Sequence, residues 1–317
     1  MMYRIGIDLG GTNIAVGLVN DDHKIVVKKT TPTLATREAD AIVADMARLC
    51  LEACAEKGVD IKDIANIGIA SPGIANPVNG CVEYANNLPF YRFPIVQILS
   101  DALGVDRSKI KIANDANAAA WGEAVAGAAK GSANSIMVTL GTGVGGGIII
   151  NNKILVGFNS AAGEIGHIVI EQDGAQCGCG RRGCWEAYSS ATALIRMTKE
   201  ALAESEKTGR YTSMSKAERI SGRTACDAMR AGDEVATEVY NKYVKYLATG
   251  ITNLVNIFQP EVISLGGGVS NEGQSLIDAI LPLVRAEQYG GDVVALTQLR
   301  IATLGNDAGI IGAAALE

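Results

Sequence analysis

Positive charge is in deficit in this chain. Lys and Arg number 28 against 34 Asp and Glu, for a net charge of −6, and neither end carries a basic arm, which disfavours DNA or RNA as the main partner. Long hydrophobic runs are missing too. The chain is 48% hydrophobic, yet every apolar run is broken by glycine, asparagine or charge before it reaches the roughly 20 residues of a membrane span. Met1-Met2-Tyr3-Arg4-Ile5-Gly6 enters a strand at once and leaves no room for a signal peptide, so a soluble, cytoplasmic protein with no membrane partner is expected. What the chain has in excess is glycine, 37 residues of 317, gathered in a few short runs. That length suits two domains of ordinary size.

The first glycine run follows a strand. Ile5 and Ile7 alternate against Arg4, Gly6 and Asp8 over Tyr3 to Asp8, then Gly10-Gly11-Thr12-Asn13 turns the chain into a second strand, Ile14 to Val19. A Walker-type loop or a dinucleotide fingerprint would need a helix after its glycines, so both are excluded. A glycine hairpin can still hold phosphate, because its backbone N–H groups converge on an anion; an ordinary β-turn is the alternative. The pattern recurs. Strand Ser135–Leu140 runs into Gly141-Thr142-Gly143-Val144-Gly145-Gly146-Gly147, and Ile148 to Ile150 resumes a strand. Two such hairpins suggest a duplicated unit that grips a polyphosphate. A third run, Gly266-Gly267-Gly268, ends strand Val262–Leu265 and offers a side-chain-free wall suited to adenosine, with a helix that could open at Ser270.

Between the hairpins helix and strand alternate, as in an α/β domain. Ile42, Val43, Met46, Leu49 and Ala53 share a helical face, and strand Ile64–Ile69 ends at Ser71-Pro72-Gly73. Asn86-Asn87-Leu88-Pro89 reads as a polar loop. Strand Ile110–Ala113 ends in Asn114-Asp115, and an alanine-rich helix begins at once. An Asp there is where open α/β sheets place ligand-binding groups, but it is also where a helix N-cap belongs. Later, Glu204 to Ser221 reads as a polar surface excursion. Val235, Val239, Tyr243, Leu247, Ile251, Leu254 and Phe258 then recur at steps of three and four in one long helix that stops at Pro260.

Glu164-Ile165-Gly166-His167 and Cys177-Gly178-Cys179-Gly180-Arg181-Arg182-Gly183-Cys184-Trp185-Glu186 make the densest chemistry in the chain. One imidazole and three thiols with glycines between them supply the ligands and tight turns of a tetrahedral Zn²⁺ site, His167 completing it. With all four positions filled by protein the metal is structural. A disulfide framework or buried free thiols are the alternatives. Cys50, Cys54, Cys81 and Cys226 have no ligand-like spacing and read as small core residues.

With these motifs in view the sequence resembles the ROK family (repressor, open reading frame, kinase), and within it the ATP-dependent glucokinases, from end to end. The resemblance rests on Asp8 to Asn13, Asn114-Asp115-Ala116-Asn117, Gly141 to Gly147, Glu164 to His167 and the Cys177–Glu186 knuckle. It implies an α/β, actin-like ATPase (ribonuclease H-like) fold with two domains flanking a cleft. The smaller spans 1–115 and is completed by a C-terminal helix at about 302–317; the larger spans 116–301 and carries the knuckle. It implies that Asp115 is the general base for the 6-hydroxyl of a hexose, glucose first, with N-acetylmannosamine, N-acetylglucosamine, allose and fructose as the alternatives that share these motifs. Asn87, Asn114, Asp115, Glu164, His167 and Glu186 would hold the sugar, and Gly10, Gly11, Thr12, Asn13, Thr142, Gly143, Gly266, Gly267 and Gly268 the ATP. His167, Cys177, Cys179 and Cys184 would bind zinc. Mg²⁺ is expected with the nucleotide, and a homodimer or homotetramer is the expected assembly. A family regulator would need a helix-turn-helix ahead of the first hairpin, where only Met1 and Met2 stand.

Overall fold

The structure is a computed structural model that describes residues 2–317; Met1, which entered the reading of the N-terminus, lies outside them. The first hairpin pairs β1 (Arg4–Leu9) with β2 (Asn13–Val19), Asp8 standing opposite Ala15. β3 (Ile25–Pro32) joins β2 antiparallel. Helix α1 (Ala39–Lys57) then buries Ile42, Val43, Met46, Leu49 and Ala53 as its spacing requires, and β4 (Ile67–Ser71) pairs with β1 in parallel. A small antiparallel sheet follows, made of β5 (Ile74–Asn76), β6 (Cys81–Tyr84) and β7 (Tyr91–Phe93). After α2 (Ile95–Leu103) comes β8 (Ile110–Asn114), parallel to β4, which gives the order β3-β2-β1-β4-β8.

The same order by rank appears again. β9 (Ser135–Leu140), β10 (Val144–Ile150), β11 (Lys153–Ile154), β12 (Val262–Gly266) and β13 (Gln298–Ile301) form the sheet β11-β10-β9-β12-β13. The repeated glycine hairpin is therefore the visible part of a repeated sheet. The remaining helices are α3 (Asp115–Ala126), α4 (Glu186–Ser189), α5 (Ala191–Thr208), α6 (Thr224–Arg230), α7 (Glu234–Phe258), α8 (Gln274–Glu287) and α9 (Ala308–Ala314). None is long and apolar enough to cross a membrane.

Two compact units divide the chain. One comprises the residues up to Met137, Gly147–Gly163 and Thr303–Glu317; the other comprises Val138–Gly146 and Glu164–Ala302. The first thus extends well beyond the expected boundary at 115, because α3 stays packed on α9: a Cβ on Gly312 would lie 1.7 Å from the Ala118 carbonyl oxygen. One face of β1 buries Ile5, Ile7 and Leu9 with α1 and α2. On the other face Gly6 must be bare, since a Cβ there would meet the Ile310 carbonyl oxygen of α9 at 1.8 Å.

In the second unit α7 buries Tyr243, Leu247 and Ile251. Trp185 is fully buried, its indole N–H donating to the Tyr246 carbonyl at 3.0 Å, so it packs and does not present a platform. Two expectations need correction. Residues 204–221 are not a plain surface excursion: α5 continues to Thr208, and Thr212 and Met214 are buried, the Thr212 hydroxyl donating to Asp233 at the head of α7. Nor does a helix open at Ser270. Its hydroxyl turns back to the Gly267 carbonyl at 2.7 Å, and α8 starts only after Gly273, which adopts φ 67°.

Candidate active site

In the first unit the candidate residues collect at the ends of β1, β4 and β8. The turn after β1 is pinned from behind: the buried Thr33 donates its hydroxyl to the Gly10 carbonyl at 2.6 Å and its N–H to the Thr12 carbonyl at 2.8 Å. Asn87 is exposed beside this turn, its Cβ 3.5 Å from where a Cβ on Gly11 would stand. Asn114 and Asp115, adjacent in sequence, do different work. Asn114, in an extended conformation, is the N-cap of α3, its Oδ1 accepting from the N–H groups of Ala116 at 2.9 Å and Asn117 at 3.2 Å. Its Nδ2 donates to the Gly73 carbonyl at 3.0 Å. Asp115, the alternative cap, is therefore relieved of that duty. Its carboxylate accepts the Ala116 N–H at 2.8 Å, and the residue is exposed.

Recessed surroundings raise the pKa of Asp115 above the ordinary carboxylate value, against the lowering effect of the Ala116 N–H and the Asn114 amide. Asp8, to which the sequence assigned no role of its own, rises further, to about 6, through burial first and the Asp115 charge second. Asp307 adds to that repulsion and Lys28, ion-paired with Asp307, opposes it. A Cβ on Gly309 would stand 3.1 Å from Asp8 Oδ2, so the start of α9 closes over this carboxylate. The available signal was the Asp at the end of a strand leading into a glycine hairpin, the same position that singled out Asp115.

In the second unit the hairpin after β9 is held by the lead-in to α5. The Ala191 N–H donates to the Gly141 carbonyl at 2.8 Å, and the Thr192 hydroxyl to the Thr142 carbonyl at 2.8 Å. Gly267 rests on the same strand end, against the Leu140 carbonyl, which places the third glycine run beside the second hairpin. Glu186 links this hairpin to the knuckle: one oxygen accepts the Val144 N–H at 3.0 Å, and the other lies 3.5 Å from Cys177 Sγ. A Cβ on Gly143 would stand 2.3 Å from Glu186 Oε2, so a larger residue there would push this carboxylate off the hairpin. Glu164 is exposed just ahead of the short turn Ile165–His167.

The four candidate metal ligands come together. One donor atom each from His167, Cys177, Cys179 and Cys184 lies within 4.8 Å of the other three. His167 Nδ1 is 3.7 Å from Cys177 Sγ, and the Cys179 and Cys184 sulfurs are 3.6 Å apart. A Zn²⁺ tetrahedron with bonds of about 2.3 Å to sulfur has edges of about 3.8 Å, so the donor set fits that ion. A disulfide, at about 2.05 Å between sulfurs, does not describe the Cys179–Cys184 pair. With Nδ1 turned to the thiols, His167 keeps Nε2 for a second partner, which makes its two expected roles compatible. Cys50, Cys54 and Cys226 are buried core residues, whereas Cys81 is half-buried.

Residues 4–317 match the model of the ROK family. The chain belongs to the ROK family. A glucokinase of Streptomyces coelicolor is 37% identical over 322 aligned residues, covering 100% of this chain and 98% of its own. The crystal structure of a ROK family glucokinase from Streptomyces griseus in complex with glucose and AMPPNP superposes with a TM-score of 0.77 at 34% identity, covering 98% of both chains. An N-acetylmannosamine kinase of Escherichia coli is 31% identical over 98% of this chain and 97% of its own, and the family also includes a xylose repressor. The ROK fold is the actin-like ATPase fold, and the repeated strand order is its signature in this chain.

Proposed function

We propose that this ROK protein is an ATP-dependent hexokinase that transfers the γ-phosphoryl group of ATP to the 6-hydroxyl of a hexose, with glucose as its preferred acceptor. The observation that carries the reading is Asp115, a carboxylate at the end of β8, released from helix capping by Asn114 and raised in basicity by its surroundings. Asp115 takes the proton of the attacking hydroxyl, a role worth about 10²- to 10⁴-fold in rate. The backbone N–H groups of Gly11, Thr12 and Asn13, and of Thr142 and Gly143, hold the phosphates, while Gly10 closes the first turn with its own N–H on the Asn13 carbonyl at 2.9 Å; Gly266 to Gly268 meet the adenosine. Phosphoryl transfer asks mainly for positioning and charge stabilisation, which such turns supply. Mg²⁺ arriving with the nucleotide neutralises charge on the phosphates.

Asn87, Asn114, Glu164, His167 and Glu186 hold the sugar hydroxyls in this reading. His167, Cys177, Cys179 and Cys184 hold a structural Zn²⁺ that fixes the turns carrying Glu164 and Glu186. The relatives support a hexose kinase broadly, and their sequence likeness favours glucose. Assembly as a homodimer or homotetramer belongs to the same proposal. The test is ADP release coupled to a dehydrogenase across glucose, fructose, allose, N-acetylglucosamine and N-acetylmannosamine. Glucose should show the highest kcat/KM. A hexosamine that exceeds it overturns the glucose assignment, and no turnover with any sugar overturns the kinase.

A further inference from the structure

Glu123 sits on α3 about two helical turns beyond Asp115, and its side chain is fully buried. One carboxylate oxygen accepts the N–H groups of Thr303 at 2.9 Å and Leu304 at 2.8 Å. The other accepts the Ala128 N–H at 2.6 Å and the Thr303 hydroxyl at 3.4 Å. The position is costly twice over. An anion is removed from water with only neutral donors to replace it, and it lies near the C-terminal, negative end of a helix dipole. Four donors converge on the two oxygens, which suits a carboxylate; the isosteric amide would turn an NH₂ group against N–H donors.

The place of the donors explains what the cost secures. Thr303 is the first residue of the C-terminal segment that completes the first unit. From there the chain passes through the turn Gly305–Asp307 into α9, where Asp307 pairs with Lys28 and Gly309 lies against Asp8. Asp115 is at the other end of the helix that carries Glu123. We infer that Glu123 is a positioning residue for phosphoryl transfer: by clamping α3 to the lead-in of α9, it sets the distance between the Asp8 and Asp115 carboxylates. The inference rests on the hexokinase reading for its kinetic consequence but not for its geometry.

The groups facing Asp8 are Asp115 from α3, Lys28 from β3 and Asp307 from the α9 lead-in. If the clamp sets the spacing, loosening it separates the two carboxylates and lets Asp8 titrate closer to an ordinary aspartate. The experiment is Glu123→Gln in the full chain, with the Asp8 carboxyl followed by NMR during a pH titration without substrate, and steady-state kinetics alongside. Expected are a downward move of the Asp8 midpoint and a fall in kcat of about ten- to a hundred-fold, with sugar KM changed less than about threefold. A folded Glu123→Gln protein with unchanged Asp8 titration and unchanged kcat overturns the inference. So does a loss confined to KM. Should that variant fail to fold, Thr303→Val removes the hydroxyl donor alone; it should move the Asp8 midpoint the same way by a smaller amount, and no movement overturns the clamp. If the parent phosphorylates no sugar, the kinase reading fails while the substrate-free titration still decides the role of Glu123.

Discussion

Asp8→Asn separates what the site costs from what it does. Burial, then the charge of Asp115, raises the Asp8 pKa from 3.8 to about 6, with Lys28 opposing and Asp307 reinforcing. A carboxylate whose folded-state pKa is raised holds its proton more tightly folded than unfolded. Its contribution to stability is therefore greatest below the unfolded value, declines as pH climbs from about 4 to about 6, and is level above that. The gap between 3.8 and about 6, at about 1.36 kcal/mol per pKa unit, amounts to about 3 kcal/mol by neutral pH. Asparagine is neutral throughout, so Asp8→Asn should be more stable than the parent by up to about 3 kcal/mol near pH 7.5 and nearly equal to it near pH 4. Phosphorylation activity should fall in the same variant, at least about tenfold, as expected when a site retains destabilising charge for function. Urea unfolding of both proteins at half-unit pH steps, without nucleotide or sugar, measures the difference. A stability difference that stays flat with pH, or a parent that is the more stable protein near pH 7.5, refutes the reasoning.

Three further outcomes follow from the geometry. Asp115→Asn should lose about 10²- to 10⁴-fold in kcat with sugar KM nearly unchanged, and its unfolding midpoint should not fall, because Asn114 retains the cap and a carboxyl whose pKa the fold raises is replaced by a neutral amide; near-normal turnover sinks the general base. Metal analysis should find about one zinc per chain, and its removal by a chelator should lower the unfolding midpoint and weaken sugar binding together. Metal-free protein with full sugar affinity would contradict that coupling. Gly250→Ala should cost about 1–3 kcal/mol by overpacking, because the new Cβ would fall 1.9 Å from the Trp185 indole; a neutral result in thermal unfolding would mean that α7 can shift away.

Local spacing reveals local chemistry. The cysteines and His167 could be read as a cluster because the chain between them is short and rich in glycine, and the structure does bring one donor atom from each into a common site. The two hairpins were legible from strand–glycine–strand order. Which of two adjacent residues caps α3 was not, since Asn114 and Asp115 are both good caps and the choice lies in backbone angles, with Asn114 at φ −61° and ψ 148°. The setting of Asp8 and of Glu123 was not legible for a different reason, although the strand-end position of Asp8 was. Both depend on the C-terminal segment that leads into α9, whose residues arrive from the far end of the chain, and no periodicity announces which strand or helix it will meet. The first compact unit runs on past 115 on the same ground, α3 being retained by α9.

The division of labour between Asn114 and Asp115 bears on how such chains diverge. A helix start that leaned on its reactive carboxylate would tie folding to activity, and a lineage that lost one would lose the other. Here the cap is one residue upstream, so an Asp-to-Asn change at 115, a single-base event, leaves the scaffold and the residues proposed to hold the sugar in place. Under the role proposed for Asp115, a protein that binds its sugar without consuming it is one such change away from this one. That kinases and repressors share one family then needs no rebuilding of this fold to lose turnover, only selection acting on a position that the helix does not need; the DNA-reading segment of a repressor is a separate addition.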